Sequence, residues 1–143
     1  MQIRRYAASD EPSLIALWHA CGLVRSWNDP RKDIQRKLTV QPELFLVGTI
    51  GDKLVASVMA GFDGHRGWAN YLAVDPAHRK SGLGRALMEK VEQELKAMGC
   101  PKLNLQVRTT NHEVLAFYRR LGYLQDEAIS LGKRLIPDEP AAG

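Results

Sequence analysis

The sequence predicts an α/β (α+β) protein: a mixed six- or seven-stranded sheet flanked by four helices. Three observations predict it. Segments of alternating and of helical period follow one another as strand, two helices, three strands, helix, strand, helix and a last extended stretch. The three central strands are joined by hairpin turns, Gly51-Asp52 and the looser Asp63 to Gly67. Glycine or proline punctuates most of the other changes of period, as at Gly22, Pro30, Gly99-Cys100-Pro101 and Gly122.

Each element has its own signal. Gln2 to Tyr6 reads as a short strand. Ser9 is expected to cap the first helix, with Pro12 in its first turn and Leu14, Ile15, Trp18 and Cys21 on one face. Val24 to Pro30 is irregular, and a charged second helix spans roughly Asp29 to Thr39 with Ile34 and Leu38 as its apolar contacts. Strands follow at Leu44 to Ile50, Leu54 to Phe62 and Trp68 to Val74, the last being central. Leu83, Leu87, Val91, Leu95 and Met98 then recur at helical spacing.

In the segment Leu103 to Arg108, Leu103, Leu105 and Val107 alternate with polar residues, which predicts a strand. Asn111 starts the last helix, whose face is Val114, Leu115, Tyr118 and Leu121, and Gly122 closes it. Tyr123 to Leu135 is extended, as one long strand or a tight pair, and residues 136–143 are expected to be a frayed tail. No repeat or linker divides the chain, so residues 1–143 form one domain.

Composition narrows the function. An apolar fraction of 45% and a charged fraction of 25% belong to a globular protein able to build a core without disulfides. No apolar run spans a bilayer, and Met1 to Tyr6 lacks the apolar core of a signal peptide, so a cytoplasmic protein is expected without a membrane partner. Cys21 and Cys100 are expected to be buried thiols. His19, His78 and His112 have no ligand-spaced partners, so no metal is expected. The net charge of +4 suits an anionic ligand. The basic residues are scattered, apart from His78-Arg79-Lys80 with Arg85, and no aromatic ladder accompanies them; nucleic acid is not an expected partner.

The chemistry concentrates in the stretch Tyr71 to Met98. A strand end, Leu72-Ala73-Val74, leads through Asp75-Pro76 into Arg79-Lys80-Ser81-Gly82-Leu83-Gly84-Arg85 and then the long helix. A helix start carries unpaired N–H groups and the positive end of the macrodipole. Gly82 and Gly84 let backbone approach a ligand closely. Together they form a cradle for an anion, most plausibly a phosphate. The plain alternative is that Ser81 caps an ordinary helix and the glycines only turn the chain. The loop is neither a Rossmann fingerprint nor a Walker loop, since the third glycine and the Gly-Lys-Ser/Thr are absent.

Val74-Asp75-Pro76 followed by Arg79-x-x-Gly82-x-Gly84 resembles the acyl-CoA loop of GNAT-type N-acetyltransferases. A second motif, Asn111-x-x-Val114-x-x-x-Tyr118-x-x-x-Gly122-Tyr123, resembles that family's Asn…Ala…Tyr…Gly-Phe/Tyr segment, with Val114 in the alanine position. The element order coincides with the GNAT fold over nearly the whole chain, and both motifs look most like ribosomal-protein N-terminal acetyltransferases. The resemblance implies acetyl-CoA as donor and a primary amine as acceptor, from a protein N-terminus, a lysine or a small molecule. It implies that Leu72, Ala73 and Val74 bulge away from the neighbouring strand to pair with the pantetheine arm. Residues Arg79 to Arg85 would grip the pyrophosphate, Asn111 would contact the arm, and Tyr118 would protonate the departing thiolate. The plain alternative for Tyr118 is a core ring.

The general base is the gap. Relatives often carry Glu on the central strand or the next one; here those positions read Trp68 and Gln106, and neither takes a proton. Water is one route. Asp63, His65 and Asp29 are candidates, although turn, cap and solvated roles suit them better. Trp27 and Asn28 stand where the loop between the first two helices lines the acceptor site in relatives; Trp27 as core filler suits equally. The final segment has little room for the usual two strands, so that wall of the site is expected to be reduced. A non-catalytic acyl-CoA sensor and a nucleotide-binding regulator are the alternatives, the second leaving Asn111 and Tyr118 unexplained. A homodimer is left open.

Overall fold

The computed structural model describes residues 1–138. Five strands form one sheet in chain order: β1 (Gln2–Arg5), β2 (Phe45–Ile50), β3 (Lys53–Phe62), β4 (Gly67–Val74) and β5 (Leu103–Leu105). The first three pairings are antiparallel and β4–β5 is parallel. Helices α1 (Glu11–Ala20) and α2 (Pro30–Lys37) precede β2; α3 (Leu83–Ala97) links β4 to β5; α4 (His112–Arg120) follows β5. No helix among the described residues is long and apolar enough to cross a membrane.

The mixed sheet with four helices is as the sequence predicts, but the strand number is five, not six or seven. Tyr123 to Leu135, expected as one strand or two, is irregular, with bends at Glu127 and Leu135, and among the described residues no backbone-to-backbone hydrogen bond follows that of Tyr123. β5 is three residues long rather than six, for a reason that lies in the site.

Two cores sit on opposite faces of the sheet. Leu87, Met88, Val91 and Leu95, the buried stripe of α3, pack with Val55, Val58 and Ala69. Leu14, Leu17 and Trp18 of α1 and Ile34 of α2 pack with Phe45, Val47 and Met59. Fully burying each such side chain is worth about 1.5–3 kcal/mol, so helical spacing sets which face of each helix meets the sheet.

The ends of the helices differ in detail from the reading. Ser9 does not cap α1; it lies in a 3-10 turn, Ala8–Asp10. Asp10 organises that entry, accepting from the Ala7 N–H at 2.8 Å and from both Arg4 guanidinium nitrogens at 2.8 and 2.9 Å. Asp29 caps α2 by accepting from the Arg31 N–H at 2.9 Å. Cys21 and Cys100 are free and half-buried.

Candidate active site

The site begins where β4 and β5 part. Their pairing runs Gly67 with Leu103, Trp68 with Asn104 and Ala69 with Leu105, then stops, while β4 continues to Val74. On its other edge β4 carries a bulge. Ser57 faces Ala73 and Met59 faces Asn70, so Tyr71 and Leu72 together oppose Val58. Tyr71 takes φ +54°, a left-handed angle costly for a bulky side chain.

Three contacts hold that strained residue. The Tyr71 ring stacks on buried Trp18, with centroids 3.9 Å apart. Ser57, wholly buried, accepts from Trp18 Nε1 at 3.0 Å and donates to the Tyr71 carbonyl at 3.0 Å. The Tyr71 hydroxyl donates to Asp33 Oδ2 at 2.5 Å. Burial, with Asp33 beside it, pushes the Tyr71 phenol well above its ordinary range. The bulge resets the alternation of β4, so Leu72 and Val74 face α3 while Tyr71 and Ala73 face α1. The sequence reading missed this network. Its one signal was a serine inside the apolar run Leu54 to Ala60.

The opening between β4 and β5 leads to the start of α3. Asp75 accepts from the Ala77 N–H at 2.9 Å, and Arg79 Nε donates to the Val74 carbonyl at 3.3 Å. Lys80 and Gly82 both take left-handed φ, +66° and +83°. Ser81 does not cap the helix: its hydroxyl donates back to the His78 carbonyl, and Gly82 holds the cap position with no side-chain bond. The first helical bond is Ala86 N–H to the Gly82 carbonyl, so the N–H groups of Leu83, Gly84 and Arg85 have no partner within the helix. Open space surrounds Gly82.

Helix α4 carries the second motif and packs against the start of α3 through Phe117. Asn111 caps it, Oδ1 accepting from the Val114 N–H at 3.3 Å, which leaves the amide NH₂ free of the cap. Phe117 packs on Gly84. Tyr118 lies beside it, buried, with edge contacts to Phe117 and Tyr123 at 5.0 and 5.6 Å. Burial alone pushes the Tyr118 phenol up to about 12, so it holds its proton at neutral pH.

The expected acceptor residues separate into two groups. Asp63 and His65 sit in the β3–β4 turn, before Gly67, at the closed end of the β4–β5 pair. At about 3.3 Å per residue that is more than about 13 Å from Tyr71. Asp63 accepts from the His65 and Arg66 N–H groups at 2.8 and 2.7 Å, which holds its carboxyl below the ordinary range. The structure does not bring either residue to the opening.

Trp27, Asn28 and Asp29 come together with the C-terminal segment. Trp27 is not core filler: half exposed, it lies under the Arg108 guanidinium at 5.3 Å. Asn28 Oδ1 accepts from Arg134 at 2.7 Å. Asp138 accepts from the Asp29 N–H at 3.2 Å and from Arg36 at 2.5 and 3.0 Å. That guanidinium holds the Asp138 carboxyl down at about 2. The expected fraying at residue 136 therefore does not extend to Asp138, whose side chain is fully enclosed. Residues 139–143 of the expected tail lie outside the described residues. Residues 126–138 thus run from β5, through Lys102–Asp126 and Gln106–Ser130 contacts, to the α1–α2 loop. They stand in the chain where the strand pair of the expected wall is absent. An open groove of about 680 Å³ lies between α1 and the β2–β3 turn; neither Tyr118 nor residues 82–85 line it.

Comparison with known proteins decides the family. Residues 10–123 match the model of the acetyltransferase (GNAT) family. The chain belongs to the GNAT family. An acetyltransferase of Yersinia enterocolitica is 50% identical over 139 residues, covering 97% of this chain and 99% of the relative. The PaiA N-acetyltransferase of Thermoplasma acidophilum, solved in complex with coenzyme A, aligns with TM-score 0.80 at 17% identity, over 90% of this chain and 92% of its own. The ribosomal-protein-S18-alanine N-acetyltransferase of Escherichia coli aligns with TM-score 0.67 at 27% identity, over 85% and 76%. The protein is a GNAT acetyltransferase, an acetyl-CoA-dependent enzyme. Its α3 start, with N–H groups free of helical partners, and its β4 edge, unpaired toward β5 beyond Ala69, are compatible with an anionic donor that carries an amide-bearing arm.

Proposed function

We propose that this enzyme transfers the acetyl group of acetyl-CoA to a primary amine by direct attack, with Tyr118 as general acid. The observation that supports this reading is that the parted strands lead to the uncapped α3 start, whose Gly84 packs against Phe117 of α4, the neighbour in sequence of the buried, neutral Tyr118 phenol.

Acetyl-CoA supplies an activated thioester. The residues of the chain do the rest. The N–H groups of Leu83, Gly84 and Arg85, with the Arg79 and Lys80 side chains, bind the pyrophosphate; Ser81 shapes the turn through His78. Leu72, Ala73 and Val74 offer main-chain groups to the arm, and Asn111 offers its free amide NH₂. Tyr118 holds a proton for the leaving sulfur as the amine nitrogen bonds to the carbonyl carbon and the carbon–sulfur bond breaks.

The amine must first lose its own proton. Trp68 and Gln106 cannot take it, and Asp63 is a weakened base held in its turn. Water at the mouth carries that proton away. Trp27, Asn28 and Asp29, backed by Arg108, Arg134 and Asp138, shape the acceptor side. The acceptor is a protein N-terminus, a lysine or a small amine. A panel of these, followed by release of free thiol, tests the reading and ranks the acceptors. Silence across the panel from an enzyme that binds CoA would move it to an acyl-CoA sensor.

A further inference from the structure

Two adjacent residues of the α1–α2 loop, Trp27 and Asn28, each hold a guanidinium. Arg108, just past the paired residues of β5, lies over the Trp27 ring at 5.3 Å. Arg134 donates to Asn28 Oδ1 at 2.7 Å and to the Ile136 carbonyl at 3.4 Å. Among the described residues neither arginine makes an ion pair. The carboxylates of this region are engaged elsewhere. Asp138 closes on Arg36 at 2.5 and 3.0 Å, and Asp33 accepts from the Tyr71 hydroxyl at 2.5 Å. Asp29 accepts from the Arg31 N–H at the start of α2. Both arginines are exposed and Trp27 is half exposed. Asn28 also lies beside the Tyr71 hydroxyl, so the loop that holds both guanidiniums is joined to the β4 bulge.

Two guanidiniums without carboxylate partners make a positive patch. An ammonium brought near it loses its proton more readily, because like charge disfavours the charged form. That helps an enzyme with neither Glu nor another proton acceptor at Trp68 and Gln106. The same patch repels an acceptor whose charge is wholly positive. A carboxylate on the acceptor reverses the repulsion. A guanidinium meets a carboxylate through parallel N–H donors, and Arg134 keeps further donors beyond its two bonds.

We propose that the acceptor amine also carries a carboxylate, which Arg108 and Arg134 bind. The inference rests on acetyl transfer to an amine and narrows the class of that amine. An acidic residue at a protein N-terminus and a small amino acid share this chemistry.

Matched pairs of amines that differ only in that charge test it: γ-aminobutyrate with its amide, and an otherwise uncharged peptide beginning with Glu with one beginning with Gln. In titration calorimetry on the enzyme with coenzyme A bound, the carboxylate member of at least one pair should bind about 10-fold tighter or more. The pair that discriminates tells which source supplies the carboxylate. KM from thiol release should follow the same order, and added salt should narrow the difference. Arg134→Gln should reduce the preference and Arg108→Gln/Arg134→Gln should remove it, whereas a merely structural role would weaken both members of a pair alike. Equal affinities within both pairs, or a preference that survives in the double variant, would overturn the inference. Discriminating binding without thiol release would uphold the carboxylate site and contradict the acetyl-transfer reading instead.

Discussion

Gly84 lies directly under the Phe117 ring: a Cβ at residue 84 would stand 3.0 Å from Cζ and 3.2 Å from Cε1. The first turn of α3 and the middle of α4 can approach this closely because that side chain is absent. Gly82, two residues earlier, touches nothing, yet its φ of +83° is a left-handed angle. The two glycines of one motif therefore do different work. Gly84 sets packing between helices, and Gly82 sets the path of the chain into α3.

Their variants should separate accordingly. Gly84→Ala overpacks the helix contact and should cost about 1–3 kcal/mol of stability, read as a lower Tm. Phe117→Leu in the same chain should restore part of it. Gly82→Ala pays only the left-handed backbone term, roughly 1–2 kcal/mol, but should lose coenzyme A affinity in calorimetry. Unchanged affinity in Gly82→Val would contradict the loop assignment.

The bulge depends on Ser57. Ser57→Ala strands the Trp18 N–H and loses the bond to the Tyr71 carbonyl. An unsatisfied buried group costs roughly 1–3 kcal/mol. Thermal unfolding should show that loss, and kcat/KM should fall with it because the β4 opening loses its support. A variant destabilised but fully active would separate the bulge from catalysis.

Much of this was legible in the sequence, and the reasons are physical. The α3 stripe and the hairpin at Gly51 are local signals, repeated every few residues, and they set the order of β2 to β5. Asn111 and Asp29 cap the helices they were read to cap, because an Asx side chain before a helix has few better uses. What sequence did not give was long-range. The pairing of Arg36 with Asp138 joins positions 102 apart. Ser57 and Tyr71 hold a bulge whose only trace is one polar residue in an apolar strand. The final segment reads as extended, but whether such a segment pairs depends on a neighbour that local pattern does not name.

Arg36→Ala should release the C-terminal wall. Backbone amides near Asp29 should then exchange faster with solvent, and KM for the amine should rise more than that for acetyl-CoA. Asp138 titrates at about 2 in the fold against an ordinary carboxyl value of 3.8. A depressed carboxyl contributes stability above its unfolded value and loses it as pH falls through the folded value. Wild type should therefore loosen between about pH 4 and pH 2, and Arg36→Ala should lack that step. An unaltered acid transition would contradict the clamp.

Alkaline behaviour has the opposite sign. Tyr118 titrates at about 12 rather than 10.0. Between those values the unfolded chain has lost a proton that the fold keeps, so stability falls as pH rises through that window. Tyr118→Phe should flatten the fall. In catalysis the same value means that the rate rises with the free-amine fraction and shows no descending limb near pH 10.

The central claim is that Tyr118 delivers the proton to the departing sulfur. Steady-state thiol release from wild type and Tyr118→Phe, on one acceptor amine with the acetylated product identified by mass, tests it most directly. The account predicts that kcat falls by about 10²–10⁴-fold while KM for acetyl-CoA stays close to wild type, since the ring still packs and only the donor is gone. Wild-type turnover in Tyr118→Phe would contradict it.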